Sequence, residues 1–378
     1  MKWSWKIARL AGIDVYMHWT FLLLLGWIVF MHLSQGQGMP VVLRGIGFVM
    51  AVFGCIVLHE LGHALAARRY GIQTRDITLL PIGGLARLER MPEQPGQELW
   101  VALAGPAVNV VIAGLLGAVL FTAYGLSGKL PSSLVGGDFV ENLMWVNVVL
   151  VVFNLLPAFP MDGGRALRAL LAYRLNYARA TEIAANVGQA IAILFGFVGL
   201  FYNPLLLFIA LFVYLGAEAE ARTVQMKSIL AGLPVRDAMM VRYRAFQPGD
   251  TLQTAADELL AGTQQDFPVV EHGRLLGMVG RQAIVDGLAQ RDRSTPVTEI
   301  MDRETPLVDE REMLDRVSQR MQERNISAIP VQRNGVLVGI VSLENVGELM
   351  MIRSALRQRL SANQTDPLVP ATRVGDDR

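Results

Sequence analysis

The sequence predicts a polytopic α-helical membrane protein, with six transmembrane helices and a small membrane-associated β element, followed by a soluble α/β module of two repeats. Three observations support this fold class. The chain has 378 residues, of which 52% are hydrophobic and only 18% charged, an apolar balance that is unusual for a soluble protein. Six apolar segments precede residue 225, each close to the roughly twenty residues that cross a bilayer. After Arg222 the composition changes to a soluble pattern, and an internal repeat begins.

The apolar segments and the charges between them define a topology. The segments are about 15–34, 41–64, 99–125, 141–160, 182–202 and 204–219. Fourteen Lys and Arg residues are assigned to one side of the membrane, against only Arg44 and Lys129 on the other. Short loops rich in Lys and Arg stay in the cytoplasm. Because the number of spans is even, we expect a multi-pass protein of the cell (inner) membrane with both termini in the cytoplasm.

A strong metal-binding signal lies near the inner end of the second segment, where His59, Glu60 and His63 have the spacing His-Glu-x-x-His. Residues four apart lie on one face of a helix, so both imidazoles can reach one metal ion. Glu60 can then activate a water held by that metal. Burying these polar groups in an apolar segment is costly without a function. The pattern predicts a catalytic metal site, whereas Cys55, on the same face, is interpreted as a packing residue.

The segment 77–89, between the second and third spans, predicts the β element. It is rich in β-forming residues, contains Gly83-Gly84 as a turn signal, and is too short to cross the membrane. We expect a hairpin or re-entrant loop at the membrane face. An open strand edge there could capture an extended peptide by β-addition, which would make Gly83 and Gly84 part of a substrate-binding element. A simple connector explains the segment equally well.

The fourth segment ends in a second group of polar residues. Pro157 and Pro160 break the helix, and Asp162 follows at the depth inferred for the two histidines. A carboxylate is a suitable third zinc ligand that leaves a fourth position for water, and Asn154 could donate a hydrogen bond to a developing oxyanion. Alternatively, Asp162 is a turn residue and Asn154 joins two helices.

The motifs in the membrane half resemble those of the site-2 protease family of intramembrane zinc metalloproteases, over about residues 10–220. They are His59-Glu60-Leu61-Gly62-His63, Gly105-Pro106-Ala107-Val108-Asn109, and Asn154-Leu155-Leu156-Pro157 running into Asp162-Gly163. The resemblance implies that His59, His63 and Asp162 bind one zinc ion per chain. It also implies that Glu60 is the catalytic acid and base, and that Asn154 steadies the tetrahedral intermediate. We assign no chemistry to Gly105–Asn109 from the residues themselves, because helix packing explains their small and polar side chains.

The second half of the chain repeats with a spacing of 62 residues and no gap. The matching pairs are Pro234–Met239 with Pro296–Met301, Phe267–Val270 with Ile329–Gln332, and Gly277–Val279 with Gly339–Val341. Each unit reads as helix, strand, turn, strand and helix. The repeat resembles a pair of cystathionine-β-synthase-type (CBS) domains. We expect the membrane metalloprotease domain at 1–225, the CBS domains at 228–290 and 291–355, and a disordered tail at 356–378.

A CBS pair often binds adenine nucleotides, with a Thr or Ser and an Asp three residues later holding the ribose. The first unit has Gly280 and Ala283 at these places, and the second has Ser342 and Asn345. The resemblance therefore implies at most one weakened nucleotide site, at Ser342 and Asn345. A packing or dimerising module, through which the chain forms a homodimer, is the equal alternative.

Together these features predict a zinc-dependent endopeptidase that cleaves transmembrane segments near the cytoplasmic face, as in regulated intramembrane proteolysis. Its partners would be the lipid bilayer and a single-span or signal-peptide-like substrate. A CBS-regulated transporter or channel, or a non-proteolytic membrane scaffold, remains an alternative, because polar groups in broken helices also suit ion pathways. Glu60 favours the enzyme, since a transporter has no need of a general base beside two histidines. The net charge of +1 gives no indication of a nucleic-acid partner.

Overall fold

The structure, a computed structural model, describes residues 3–81, 83–124 and 138–364. Lys129 and residues 365–378 of the expected tail lie outside the described residues. The chain divides into two compact units, Met1–Val224 and Gln225–Arg378.

Helices dominate the first unit, and seven begin within its described residues. They are α1 (Thr20–Ser34), α2 (Met39–Arg68), α3 (Pro95–Tyr124), α4 (Phe139–Asn154), α5 (Asp162–Ala172), α6 (Tyr177–Phe201) and α7 (Leu205–Leu230). Of the described helices, α2, α3 and α6 are long and apolar enough to cross a membrane, and α1 and α4 are shorter apolar helices.

Two of the predicted spans differ from the helices that form. α1 begins only at Thr20, because residues 13–18 form a strand. α4 ends at Asn154, since Pro157 and Pro160 lack the N–H groups that would continue it. The sequence interpretation missed the short helix α5, whose opening Asp-Gly-Gly resembles a turn and whose eleven residues are too few to cross a bilayer.

A four-stranded sheet accompanies these helices. Its strands, in the order β1-β2-β3-β4, are β1 (Ser4–Leu10), β2 (Ile13–His18), β3 (Thr74–Leu80) and β4 (Gly83–Leu88). β1 pairs antiparallel with β2, β2 parallel with β3, and β3 antiparallel with β4. The first two strands were not predicted. Gly83 and Gly84 do not form the turn expected of them; they are the first residues of β4, which is an edge strand.

An apolar core joins the sheet to α2. Val15 and Ile77 of the sheet pack with Phe53 and Val57 of α2 and with Phe21 of α1. The Phe21 and Phe53 rings meet edge to face, with centroids 4.6 Å apart, a favoured aromatic geometry. This core places β3 and β4 against the part of α2 that leads into His59.

The second unit repeats its elements with the spacing found in the sequence. The first repeat contains α8 (Leu252–Ala261), β5 (Asp266–Glu271), β6 (Arg274–Gly280) and α9 (Arg281–Gln290). The second contains β7 (Val308–Asp309), α10 (Leu314–Arg324), β8 (Ala328–Arg333), β9 (Val336–Ser342) and α11 (Leu343–Gln364). β5 and β6 form a hairpin, and β7, β8 and β9 form a three-stranded sheet. Met278 of the first repeat packs with Ala328 and Ile340 of the second.

Both predicted turns form in the second unit. His272 and Gly273 have φ values of 50° and 79°, and Asn334 and Gly335 have 51° and 83°. Two successive residues in the left-handed region are typical of a type I′ hairpin turn. The expectation of disorder from residue 356 onwards is wrong for residues 356–364, which continue α11. Their polarity misled the interpretation, because Leu, Arg and Gln are good helix formers.

Candidate metal centre

His59 and His63 lie near the end of α2, and both side chains are buried, with 6% and 5% of their surface exposed. The Nδ1 of His63 is 2.7 Å from the carbonyl oxygen of Val101 in α3. The Nδ1 of His59 is 3.1 Å from Oδ1 of Asn109, also in α3. A carbonyl oxygen can only accept, so each Nδ1 carries the proton and donates it. The Nε2 lone pairs are therefore free to bind a metal.

Asp162, the first residue of α5, completes the cluster. Its Oδ2 lies 3.2 Å from Nε2 of His59 and 3.1 Å from Nε2 of His63, and the two Nε2 atoms are 3.1 Å apart. Ligands about 2.0–2.1 Å from a tetrahedral zinc ion lie about 3.3 Å from one another. The donor set and its spacing therefore fit zinc. The other carboxylate oxygen, Oδ1, lies 4.0 Å from Nη1 of Arg165.

The helix α3 passes close to the three ligating atoms. A Cβ atom built on Gly105 would lie 2.2 Å from Nε2 of His63 and 2.7 Å from Nε2 of His59. No side chain fits there while the imidazoles keep their positions. Gly105 and Asn109 are one helical turn apart. Gly105 lets the backbone of α3 approach both histidines, and Asn109 provides the hydrogen-bond acceptor for His59. The sequence interpretation assigned neither residue a role, because helix packing explains small and polar residues in a membrane helix, and their approach to the histidines depends on tertiary packing.

Glu60 is half-buried and contacts β4. Its Oε2 accepts a hydrogen bond from the backbone N–H of Ala86 at 3.2 Å. A Cβ on Gly84 would lie 2.9 Å from Cγ of Glu60 and 2.8 Å from Cγ2 of Ile56. β4 therefore lies against this part of α2 and holds the carboxylate of Glu60, the residue next to His59 in the cluster of His59, His63 and Asp162.

The remaining sequence-predicted residues lie as follows. Asn154 is the half-buried last residue of α4, and its side chain makes no hydrogen bond to any part of the chain that the structure describes. The Cys55 thiol is buried beside Nδ2 of Asn147, at 3.4 Å, outside the ligand cluster. Ser342 and Asn345 bond each other: the Ser342 Oγ lies 2.8 Å from Oδ1 of Asn345 and accepts from its backbone N–H at 3.1 Å.

A buried ion network holds α5, the helix that begins with Asp162. Arg168 and Glu98 are both fully buried, and Nε of Arg168 donates to Oε1 of Glu98 in α3 at 2.7 Å. Nη1 of Arg168 donates to Oε1 of Glu220 in α7 at 2.6 Å. Arg168 is one of the fourteen Lys and Arg residues that the topology prediction placed in loops on the cytoplasmic side, but it belongs to α5 and its guanidinium is buried inside the helix bundle.

Comparison with known proteins identifies the family. The model of peptidase family M50 matches residues 47–195, and the CBS domain model matches residues 235–290 and 297–351. A zinc metalloprotease of Methanocaldococcus jannaschii is 32% identical over 355 residues, which cover 93% of this chain and 97% of the relative. The chain belongs to peptidase family M50, the site-2 proteases.

Other similar proteins align with different fractions of this site-2 protease. Rip3 of Mycobacterium tuberculosis is 29% identical over 372 residues, which cover 93% of each chain. The solved site-2 protease from Methanocaldococcus jannaschii is 36% identical, covers 58% of this chain and 96% of its own, and has a TM-score of 0.42.

Family membership decides between the function classes that the sequence had left open. This site-2 protease is a zinc metalloprotease, that is, a hydrolase of peptide bonds, and it carries a tandem CBS module. Membership of a peptidase family excludes the transporter and scaffold alternatives as the function of this family. The cluster of His59, His63 and Asp162 is the group within the described residues whose donors converge as a metal site requires.

Proposed function

We propose that the protein is a zinc-dependent intramembrane endopeptidase that cleaves transmembrane segments near the cytoplasmic face of the cell membrane, in regulated intramembrane proteolysis. The observation that carries the proposal is the convergence of His59, His63 and Asp162 at the end of a membrane-spanning helix. Their three ligating atoms lie 3.1–3.2 Å apart, and Glu60 stands beside them.

In this proposal His59, His63 and Asp162 hold one zinc ion per chain. When bound, zinc supplies Lewis acidity, which polarises the scissile carbonyl and makes water a stronger nucleophile. Val101 and Asn109 fix the tautomers of the two histidines, so their lone pairs are directed at the ion without rearrangement. Arg165 attracts the second oxygen of Asp162 and orients its carboxylate.

Glu60 and Asn154 perform the remaining steps. Glu60 accepts a proton from the attacking water and delivers it to the leaving amine, which is general base and then general acid catalysis. Asn154 donates its amide hydrogen to the oxygen that becomes negative in the tetrahedral intermediate. The end of α4 at Asn154 supports this role, because a side chain beside an irregular segment can turn towards the site.

The depth of the site supports cleavage near one membrane face. Twenty residues separate Met39, at the start of α2, from His59. At 1.5 Å per residue this is about 30 Å, the thickness of the hydrocarbon core. The Lys and Arg distribution assigns that end of α2 to the cytoplasm. We infer six spans, formed by α1, α2, α3, α4, α6 and α7, with both termini cytoplasmic. Exposed side chains such as Phe121 and Phe208, at 77% and 71%, would contact lipid.

The substrate in this proposal is a single-span or signal-peptide-like segment that binds in an extended conformation. A helical peptide hides its carbonyl groups in internal hydrogen bonds, so it must unwind before hydrolysis. Among the strands that the structure describes, none pairs with the outer edge of β4, which lies beside Glu60. A substrate strand added there would present its carbonyls to the site. Gly83 and Gly84 are the first residues of this strand, and in this proposal they are part of the substrate-binding edge; no atom of the described residues lies within 4 Å of a Cβ built on Gly83, whereas the absent side chain of Gly84 lets β4 approach Glu60.

The CBS pair acts in this proposal as a regulatory or dimerising module. Ser342 and Asn345, at the junction of β9 and α11, would hold the ribose of an adenine nucleotide. Calorimetric titration of the full-length protein with ATP, ADP and AMP tests this role. Heat from at least one nucleotide that S342A and N345A diminish would support it, and silence with all three would leave the dimerising role.

The decisive experiment compares the wild-type protein with E60Q. The variant keeps the ligand set, so its zinc content should equal that of the wild type, while cleavage of a transmembrane substrate should fall below detection. Proteomics of membrane fragments in cells carrying either form would then reveal the substrate. Full cleavage by E60Q contradicts the mechanism, and a wild-type protein that cleaves no membrane segment contradicts the proposed function.

A further inference from the structure

The contact between β4 and Glu60 uses a backbone group that a bound substrate would also need. Ala86 lies opposite Ile77 of β3. In an antiparallel pair, the N–H and C=O of one residue point to the same side of the strand. Because the N–H of Ala86 points to Oε2 of Glu60, both groups of Ala86 face away from β3, towards the open edge.

The same edge is the one that β-addition requires. No strand pairs with β4 on that side within the described residues. Gly84, two residues earlier, directs its backbone groups to this edge as well, because backbone direction alternates along a strand. A substrate strand pairing with β4 would therefore place a carbonyl oxygen opposite the N–H of Ala86. That position is now taken by Oε2 of Glu60, at 3.2 Å.

We propose that the N–H of Ala86 is a shared donor, which holds the Glu60 carboxylate in the free protein and passes to a substrate carbonyl when an extended peptide pairs with β4. One N–H makes one strong hydrogen bond, so the two acceptors compete. Substrate docking thus releases the base next to the bond to be cleaved. This inference rests on the proposed capture of substrate by β4, and it makes Ala86 a positioning residue for Glu60.

The competition can be measured with a peptide that binds but is not cleaved. The probe is a fluorescent peptide of a cleaved transmembrane segment, in which a reduced amide (–CH2–NH–) replaces the scissile bond. Its Kd is determined for the full-length, zinc-loaded protein in micelles. E60A removes the competing acceptor, whereas E60Q removes the charge and keeps an acceptor oxygen. A86P removes the donor, and it costs no ladder bond because this N–H does not face β3.

The expected result is a coupling between the two positions. E60A should bind the probe about tenfold more tightly than the wild type, which corresponds to about 1.4 kcal/mol, and E60Q should stay within about threefold. In the A86P background, E60A should change the Kd by less than about twofold. Equal tightening by E60A in both backgrounds, or no tightening at all, overturns the shared donor.

Two further measurements keep the inference separate from its premises. Cleavage of the parent peptide by the wild type, lost in E60Q, tests the proposed function alone, because it does not depend on Ala86. If A86P fails to fold, amide hydrogen exchange of residues 83–88 replaces it. E60A should speed this exchange and the probe should slow it again. Unchanged exchange in E60A means that Glu60 does not hold this edge, and the inference fails.

Discussion

Replacing Asn109 by Ala should weaken zinc binding although this residue does not touch the metal. Asn109 is fully buried, and its Oδ1 accepts the proton of Nδ1 of His59 at 3.1 Å. Without this acceptor, the His59 ring loses the bond that fixes its tautomer and its orientation. Loss of such a partner typically lowers metal affinity about 10–100-fold, or about 1.4–2.7 kcal/mol.

The assay is a competition titration of the purified protein with a fluorescent zinc chelator. N109D keeps an acceptor oxygen at the same place, so its zinc affinity should stay within about threefold of the wild type. The matched control is N147A. Asn147 is another fully buried asparagine, bonded to the carbonyl oxygen of Leu143 at 2.8 Å, and it contacts none of the three ligands.

The comparison separates tuning of the metal from loss of packing. If N109A and N147A bind zinc equally well within about twofold, Asn109 does not tune the site and the reasoning is refuted. If both variants lose zinc to the same extent, the loss reflects general destabilisation of the helix bundle, which also refutes it.

Three other changes test the site and the fold. G105A should abolish zinc binding, because its Cβ would lie 2.2 Å from Nε2 of His63, whereas G114A on the same helix meets nothing within 4 Å and should bind zinc normally in the same titration. R168M should lower the free energy of unfolding by about 3–5 kcal/mol, because it leaves the buried carboxylate of Glu98 unpaired. R179A, which removes an exposed ion pair, should lower it by only about 0–1 kcal/mol. Urea titration measures both changes. Burial raises the pKa of Asp266 above 3.8, so the folded state loses stability as pH rises from about 4 towards that higher pKa. D266N should therefore unfold at a higher temperature than the wild type at about pH 7 but not below about pH 3.5, and an equal difference at both pH values contradicts this.

The sequence pointed to the three candidate ligands because their signals are local. His59 and His63 lie on one helical face by spacing alone, and Asp162 follows two prolines that must break a helix. The close approach of α3 depends instead on tertiary packing. Asn109 therefore had the same sequence appearance as any polar residue that joins two membrane helices, and its bond to His59 could be seen only in the structure.

The β element shows a different limit. Its sequence predicted strands at 77–89 but not the partners β1 and β2. β2 overlaps the start of the apolar segment at 15–34, and this segment dominates any hydropathy reading of the N-terminus. The contact of Ala86 with Glu60 has no sequence signal, because the donor is a backbone N–H that every residue except proline carries. The identity of residue 84 is more informative, since only glycine leaves room for Glu60 and Ile56.

The repeat in the second unit shows why a fold is easier to predict than a ligand. The starts of the helix and of both strands at Leu252, Asp266 and Arg274 recur at Leu314, Ala328 and Val336, so the 62-residue register is kept wherever apolar and turn residues define backbone geometry. The polar positions do not follow it: Gly280 and Ala283 correspond to Ser342 and Asn345. Packing constrains the apolar and turn residues in both repeats. A ligand would constrain the polar positions only in the repeat where it binds. Because Ser342 already caps α11 through the N–H of Asn345, this pair has a structural role that needs no nucleotide. A nucleotide role must therefore show itself as binding that S342A weakens while an equally capping S342T preserves it.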